Sequence, residues 1–348
     1  MHLTCPADQF TYRGRSLRGT FPDKVIHGGE VLKCEEQTGR KVIDFSASLN
    51  PVPPGVIWEI DPSSLSHYPD NTYTILKDII ADTFHRDPEE ITVGNGSIEL
   101  IRVFCAVVLA KNDSYITNAP TFGEYALSAS LSGARPAIVG EHAVVSFICN
   151  PNNPTGRLYG RKEVGRILKV NSSTDTMTFL DEAFIELADP SESLVGLRDR
   201  HLFVLRSLTK CFAVPGLRFG YGFGEPELIR RMEVARPPWS VNAYAEKFAI
   251  EAFRHYDQLE ASRTYIKQEC AWMSKKLTGL GLHPHPSSAN FILIDLPVNA
   301  AGITRALAHR GFLVRDCTSF GLPASIRVAV RLHEENAALV EEISDCLQ

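Results

Sequence analysis

The chain has 348 residues, with 36 Lys and Arg against 41 Asp and Glu for a formal net charge of −5; 44% of residues are hydrophobic and 22% charged. These proportions exclude a disordered, collagenous or coiled-coil chain, and the acidic balance argues against a general nucleic-acid binder, whose affinity rests on basic side chains that neutralise phosphates. The longest nearly apolar run, Val103 to Ala110, is far short of the roughly 20 residues a membrane helix needs. With no basic-then-apolar leader at the start, a soluble cytoplasmic protein is expected.

At about 150 residues per domain the length suggests two domains. Short apolar runs alternate with helix-length segments through the middle. Ile91 to Val93 precedes Gly94-Asn95-Gly96-Ser97 and a helical pattern from Ile98 to Leu109. Val144 to Cys149 reads as a buried strand ending at Asn150-Pro151-Asn152-Asn153-Pro154-Thr155-Gly156. Met177 to Leu180 runs into Asp181, and Leu202 to Leu205 into Arg206-Ser207-Leu208-Thr209-Lys210. The alternation predicts an α/β domain with a mostly parallel sheet, placed at residues 45–245. Beyond it the pattern turns helical over Ala245 to Leu259 and Arg263 to Leu277. Strands are expected near Asn290–Leu296, Leu313–Arg315 and Ile326–Val330. That part, residues 246–348 with 1–44, is expected to form a smaller α+β domain. The eight cysteines stand singly, and His283-Pro284-His285 reads as a loop, so neither a disulfide framework nor a metal site is expected.

Open α/β sheets bind ligands outside the carboxyl ends of their strands, and four of those ends carry chemistry here. The Gly94–Ser97 turn opens a helix whose free N–H groups can meet an anion, and Ser97 can equally be a plain N-cap. Asn150–Gly156 is a rigid turn that exposes amides. Asp181 directly follows an apolar strand, so its carboxylate is partly buried and needs a partner; a protonated ring nitrogen of a cofactor suits it, as does a structural ion pair. Lys210 lies among Val204, Leu205, Leu208, Phe212 and Val214, which predicts a depressed pKa and an amine able to form a Schiff base. Arg218, eight residues on, can clasp a phosphate together with Ser207 or Thr209.

VLRSLTKCFAVPGLRFGY (Val204 to Tyr221), CNPNNPTG (Cys149 to Gly156) and LDEAF (Leu180 to Phe184) resemble fold-type I enzymes dependent on pyridoxal phosphate. The similar region runs from about His27 to the C-terminus. The branch is the one shared by histidinol-phosphate aminotransferases and the L-threonine-O-3-phosphate decarboxylases of cobalamin biosynthesis. The resemblance implies that Lys210 carries the cofactor as a Schiff base and that Asp181 keeps its pyridine nitrogen protonated. It implies that Asn153 bonds the phenolic oxygen, that Phe122 stacks on the ring, and that Gly96, Ser97, Ser207, Thr209 and Arg218 hold the phosphate. Tyr68 matches a tyrosine that reaches the neighbouring subunit's cofactor, which implies a homodimer with shared active sites.

IHGGEV (Ile26 to Val31), DFSASLNP (Asp44 to Pro51), PPWSVNAYA (Pro237 to Ala245) and Phe184 in place of a tyrosine resemble the decarboxylases more closely. Carried over position by position, His27, Gly28, Asn153, Arg315 and Arg327 contact an amino-acid phosphate substrate. One departure stands out: Ser48 occupies the place of a substrate-contacting asparagine, which points toward a differently sized substrate such as phosphoserine. The expected activity is decarboxylation of O-phospho-L-threonine. Transamination of histidinol phosphate is the alternative, and a cofactor-binding protein without turnover is a third reading.

Overall fold

The computed structural model describes residues 21–59 and 61–347, together with the backbone of two short paired strands, β1 (Thr11–Tyr12) and β2 (Arg15–Ser16). The N-terminal residues 1–10, with Cys5, lie outside the described part. A third short strand, β3, spans Ile43–Asp44.

Seven strands form the central sheet: β4 (Ile91–Gly94), β5 (Ser114–Thr117), β6 (Arg135–Pro136), β7 (Val145–Cys149), β8 (Met177–Asp181), β9 (Leu202–Arg206) and β10 (Gly220–Phe223). Their spatial order is β4-β10-β9-β8-β7-β5-β6. β10 runs antiparallel to β4 and β9, while the pairings from β9 to β6 are parallel. Every residue of β4, β7, β9 and β10 is buried. These strands are therefore mostly apolar along their whole length, with Thr92, Ser146 and Arg206 as the exceptions, as expected for a sheet covered on both faces. One cover is the helix Ser97–Val108, whose Leu100, Ile101, Phe104 and Cys105 are buried.

A second sheet has the order β11-β12-β15-β14, from β11 (His283–Pro284), β12 (Phe291–Asp295), β14 (Arg315–Asp316) and β15 (Ser325–Ala329), all antiparallel. β13 (Phe312–Leu313) instead pairs in parallel with β3. The N–H of Phe45 donates to Leu313 O at 2.8 Å and that of Ala329 to Phe45 O at 2.8 Å. The segment before the central sheet is thus stitched to the C-terminal part of the chain.

Three expectations need correction. The stretch expected to be helical from Ala245 to Leu259 stops at Phe253; a 3₁₀ turn at Tyr256–Gln258 precedes the 21-residue helix Leu259–Gly279. The break turns the Tyr256 hydroxyl inward to donate to Glu186 Oε1 at 2.8 Å, a tertiary demand that no periodicity records. The expected strand Leu313–Arg315 is two strands, because Leu313 pairs with Asp44 and Arg315 with Arg327. His283-Pro284 is an edge strand rather than a loop, and His285 Nε2 lies 2.8 Å from Asp295 Oδ2 on its neighbour β12.

Candidate active site

The parallel strands β7, β8 and β9 and the antiparallel β10 meet at one edge, where a cleft of about 520 Å³ opens toward the second sheet. Lys210 reaches it from the single-turn helix Leu208–Cys211 after β9. Burial pushes its ammonium down to about 8, with Arg327 and Arg218 adding repulsion. The loop that carries it holds two non-glycine residues in the left-handed region, Ala213 at φ 55° and Arg218 at φ 59°. Such strain costs roughly 1–2 kcal/mol per residue and marks positions fixed by something other than local preference.

Asp181 closes β8 and is 4% exposed. Its Oδ2 accepts from the Tyr125 hydroxyl at 2.7 Å and its Oδ1 from the Ala183 N–H at 2.9 Å. Burial raises the carboxyl to about 6, and the Tyr125 and Ala183 donors hold it from going higher. Among the described residues no cation lies within ion-pair distance of it, so the structural ion pair considered for Asp181 is absent there.

The Gly94–Ser97 turn sits opposite. Gly96, at φ 81°, is the N-cap and Ser97 the first helical residue, so Ser97 is not the cap; no side chain caps this helix. A Cβ on Gly96 would overlap Nη2 of Arg218, which places the guanidinium directly against the turn. Thr209 and Ser97 line the cleft, while Ser207 stands behind with its Oγ 2.8 Å from Thr209 Oγ1. Phe122, half-buried, lines the wall, 5.5 Å from the Tyr125 ring and 5.9 Å from His27.

The far wall comes from the N-terminal strap and the second sheet. His27 Nε2 lies 2.9 Å from Glu124 Oε1, and Arg102 donates to Glu124 Oε2 at 3.2 Å. Gly28 packs on the Ser46 carbonyl so closely that a Cβ would overlap it, and the Gly29 N–H donates to Ser46 Oγ at 2.7 Å. Arg315 Nη2 donates to Ile26 O at 2.8 Å and Ser319 Oγ at 2.6 Å. Arg327 donates through Nη1 to Asn153 Oδ1 and through Nη2 to Ser46 O at 2.8 Å. Its Nε and the Ser48 Oγ are buried without a partner. Burial holds both arginines below the usual guanidinium range, Arg327 at about 10.

Fourteen of the fifteen residues singled out from sequence therefore gather at the cleft or directly behind it. Tyr68 does not: it is 78% exposed and stacks on Trp239 at 4.3 Å, away from the cleft. Sequence reasoning missed Tyr125, Glu124, Asp44, Ser46 and Ser319. Asp44 Oδ1 accepts from the Ser46 N–H at 2.8 Å, its Oγ at 2.6 Å and the Ala47 N–H at 3.2 Å, so an Asp-x-Ser turn was the available signal for two of them. Cys211 is packing: it is buried, and burial drives its thiol far up.

The geometry defines an enzyme of the aminotransferase class I and II family, whose model matches residues 57–343; the chain belongs to that family. The fold is the fold-type I architecture and the cofactor is pyridoxal 5′-phosphate. The residues present fit that group: an amine poised near neutrality, a buried carboxylate without a cation, and a glycine turn that leaves room beside Arg218. A relative from Caldanaerobacter subterraneus, provisionally named a threonine-phosphate decarboxylase, is 34% identical over 90% of this chain and 95% of its own. A histidinol-phosphate aminotransferase of Symbiobacterium thermophilum is 32% identical over 80% and 82%. Among solved structures, the histidinol-phosphate aminotransferase from Clostridium acetobutylicum is similar at 27% identity, with a TM-score of 0.75 over 86% of this chain and 98% of its own. The L-threonine-O-3-phosphate decarboxylase from Porphyromonas gingivalis shares the fold at 24% identity, with a TM-score of 0.70 over 80% and 92%.

Proposed function

We propose that this enzyme decarboxylates O-phospho-L-threonine to (R)-1-amino-2-propanol O-2-phosphate, a step of cobamide assembly. The carrying observation is the charge of the cleft. Lys210, Arg218, Arg315 and Arg327 line it against Asp44 and Asp181, and none of the four cations is in an ion pair among the described residues. Buried cations without counterions need anions from a ligand. A cofactor phosphate accounts for Arg218; Arg315 and Arg327 then await a substrate with two anionic groups, as an amino-acid phosphate has.

The cofactor when bound withdraws electrons from a bond at the substrate's α-carbon. Lys210 Nζ would anchor it, Asp181 would meet its ring nitrogen, Asn153 its phenolic oxygen, and Phe122 its face. The Gly96–Ser97 turn, Ser207, Thr209 and Arg218 would hold its phosphate. Arg327 and Arg315, with the His27–Gly28 strap, would fix the substrate's carboxylate and phosphate, and so decide which bond at the α-carbon is presented for cleavage. Presenting the carboxylate would release CO₂, with Lys210 Nζ returning a proton to the α-carbon. Presenting Cα–H would let Lys210 Nζ take that proton, and the outcome would be transamination. The strap is held against the cleft by its contacts with Glu124, Ser46 and Arg315. A homodimer, with Tyr68 reaching the partner's cofactor phosphate, accords with the outward position of that ring.

Histidinol phosphate brings one anion and no carboxylate, so transamination of it leaves one arginine unmet; its support is the 32% identical relative. Ser48, in the place of an asparagine, changes the size of the pocket and keeps phosphoserine as a rival substrate. Incubating the loaded enzyme with O-phospho-L-threonine tests the proposal: aminopropanol phosphate must appear and must vanish with Lys210→Ala. Carboxylate retained, with amino-group transfer to 2-oxoglutarate, would replace the proposal with the aminotransferase reading.

A further inference from the structure

Tyr125 is fully buried and lies where three features of the site meet. Its hydroxyl donates to Asp181 Oδ2 at 2.7 Å, its ring stacks on Phe147 at 5.4 Å and 10°, and its edge meets Phe122 at 5.5 Å and 80°. A tyrosine needed only for packing gains nothing from a hydroxyl, since burying one unpaired costs more than a phenylalanine would. Here the hydroxyl is spent on a cleft carboxylate that has no cation within ion-pair distance among the described residues. The Ala183 N–H occupies the other oxygen, so two neutral donors fix the plane of the carboxylate. The other ionisable groups acting on Asp181 are Glu182 and Lys210, with Cys149 close by; none donates a hydrogen bond to it.

We infer that Tyr125 is a positioning residue acting through Asp181: its hydroxyl keeps that carboxylate ionised and aimed, so that the cofactor's ring nitrogen retains its proton. The inference rests on the cofactor assignment and on Asp181 facing the ring nitrogen. In a buried pair the proton is shared between nitrogen and carboxylate, and each donor to the carboxylate makes it the weaker base. Removing a hydrogen bond to a charged group shifts that balance by roughly tenfold to a hundredfold, or about one to two pK units. The proton then moves toward Asp181 and the ring loses electron-withdrawing power. Contact with Phe122 extends the same control to the wall that faces the ring, because Tyr125 cannot shift without disturbing it.

The test is nitrogen-15 NMR of the protein loaded with ¹⁵N-labelled pyridoxal phosphate, comparing wild type, Tyr125→Phe, Asp181→Asn and the double variant at pH 7.5. Loading of the wild type is checked first by its visible absorbance; no band there would sink the cofactor assignment rather than this inference. Tyr125→Phe is expected to move the ring-nitrogen resonance toward the unprotonated position and to lower kcat while KM changes little. In the Asp181→Asn background the same substitution should add no further displacement. An unchanged resonance in Tyr125→Phe overturns the inference, as does an equal displacement in both backgrounds. Should the phenylalanine variant fail to fold, 3-fluorotyrosine placed at position 125 supplies a stronger donor. It must then move the resonance toward fuller protonation, and no movement is again a refutation.

Discussion

Gly96→Ala tests the cofactor-phosphate cradle without replacing any side chain that would hold the phosphate. Alanine at φ 81° and ψ 162° occupies an extended positive-φ region reserved in practice for glycine, which costs roughly 1–3 kcal/mol. Its Cβ would overlap Nη2 of Arg218 and stand 3.0 Å from Cζ, inside the ordinary contact distance of 3.4 Å or more. The guanidinium must therefore retreat by about 0.5–1 Å, and a charge-assisted hydrogen bond does not survive such a shift. Bonds of that kind contribute about 1.5–3 kcal/mol, so affinity for pyridoxal phosphate should weaken roughly tenfold to a hundredfold, while affinity for pyridoxal, which has no phosphate, should stay the same. Absorbance titration of the cofactor-free protein measures both, and its melting curve reports the backbone strain separately. A melting loss with unchanged pyridoxal phosphate affinity would refute the placement of Arg218 at the cofactor phosphate.

Three further outcomes are expected. The rate at which cofactor-free protein captures pyridoxal phosphate should rise about tenfold per pH unit below about pH 8 and level off above it, because Lys210 reacts only when unprotonated and titrates near 8; Arg327→Gln should move the midpoint upward by removing a repelling charge, and stopped-flow absorbance reads both. Ser48→Ala should raise the melting temperature, since it deletes a buried unpartnered hydroxyl, yet raise KM by roughly 2- to 12-fold through the loss of one hydrogen bond to substrate; an unmoved KM would dismiss Ser48 as a contact. Arg206→Met should destabilise by about 3–5 kcal/mol in urea unfolding, because Arg206 donates to Glu182 at 2.9 Å and Glu186 at 2.5 Å and its loss strands two buried carboxylates; a change under about 1 kcal/mol would contradict that account.

The parts of the site legible in sequence are those where a strand ends. Apolar runs stop abruptly at Asp181, at Arg206 just ahead of Lys210, and at the asparagine turn, so an ionisable or amide group at a strand end is visible from the sequence alone. What escaped was set by contacts between distant segments. Tyr125 sits on a short helix, Glu124–Leu131, whose buried positions include Glu124 and Ser128, so no apolar stripe marks it; Glu186–Arg206–Tyr256 joins residues 20 to 70 apart in sequence, and the helix break before Tyr256 completes that network. The split at Val314 has the same origin: β13 and β14 are consecutive in sequence but answer to different partners, Asp44 and Arg327. Ser97 failed as a cap because the glycine before it already supplies the turn. Ser97 lines the cleft instead.

The antiparallel course of β10 has a bearing on inheritance. Because β10 starts at the edge where β9 ends, Lys210 and Arg218 lie on one short excursion clamped at both ends by the β9–β10 ladder. Tyr221 opposite Arg206 closes that ladder. The distance between covalent anchor and phosphate anchor is thus metered by a single register. An insertion or deletion between Ser207 and Phe219 would break the gauge, whereas the strap, Ser48 and the second sheet can drift residue by residue. A lineage built this way can exchange its substrate many times and still hand down the same cofactor.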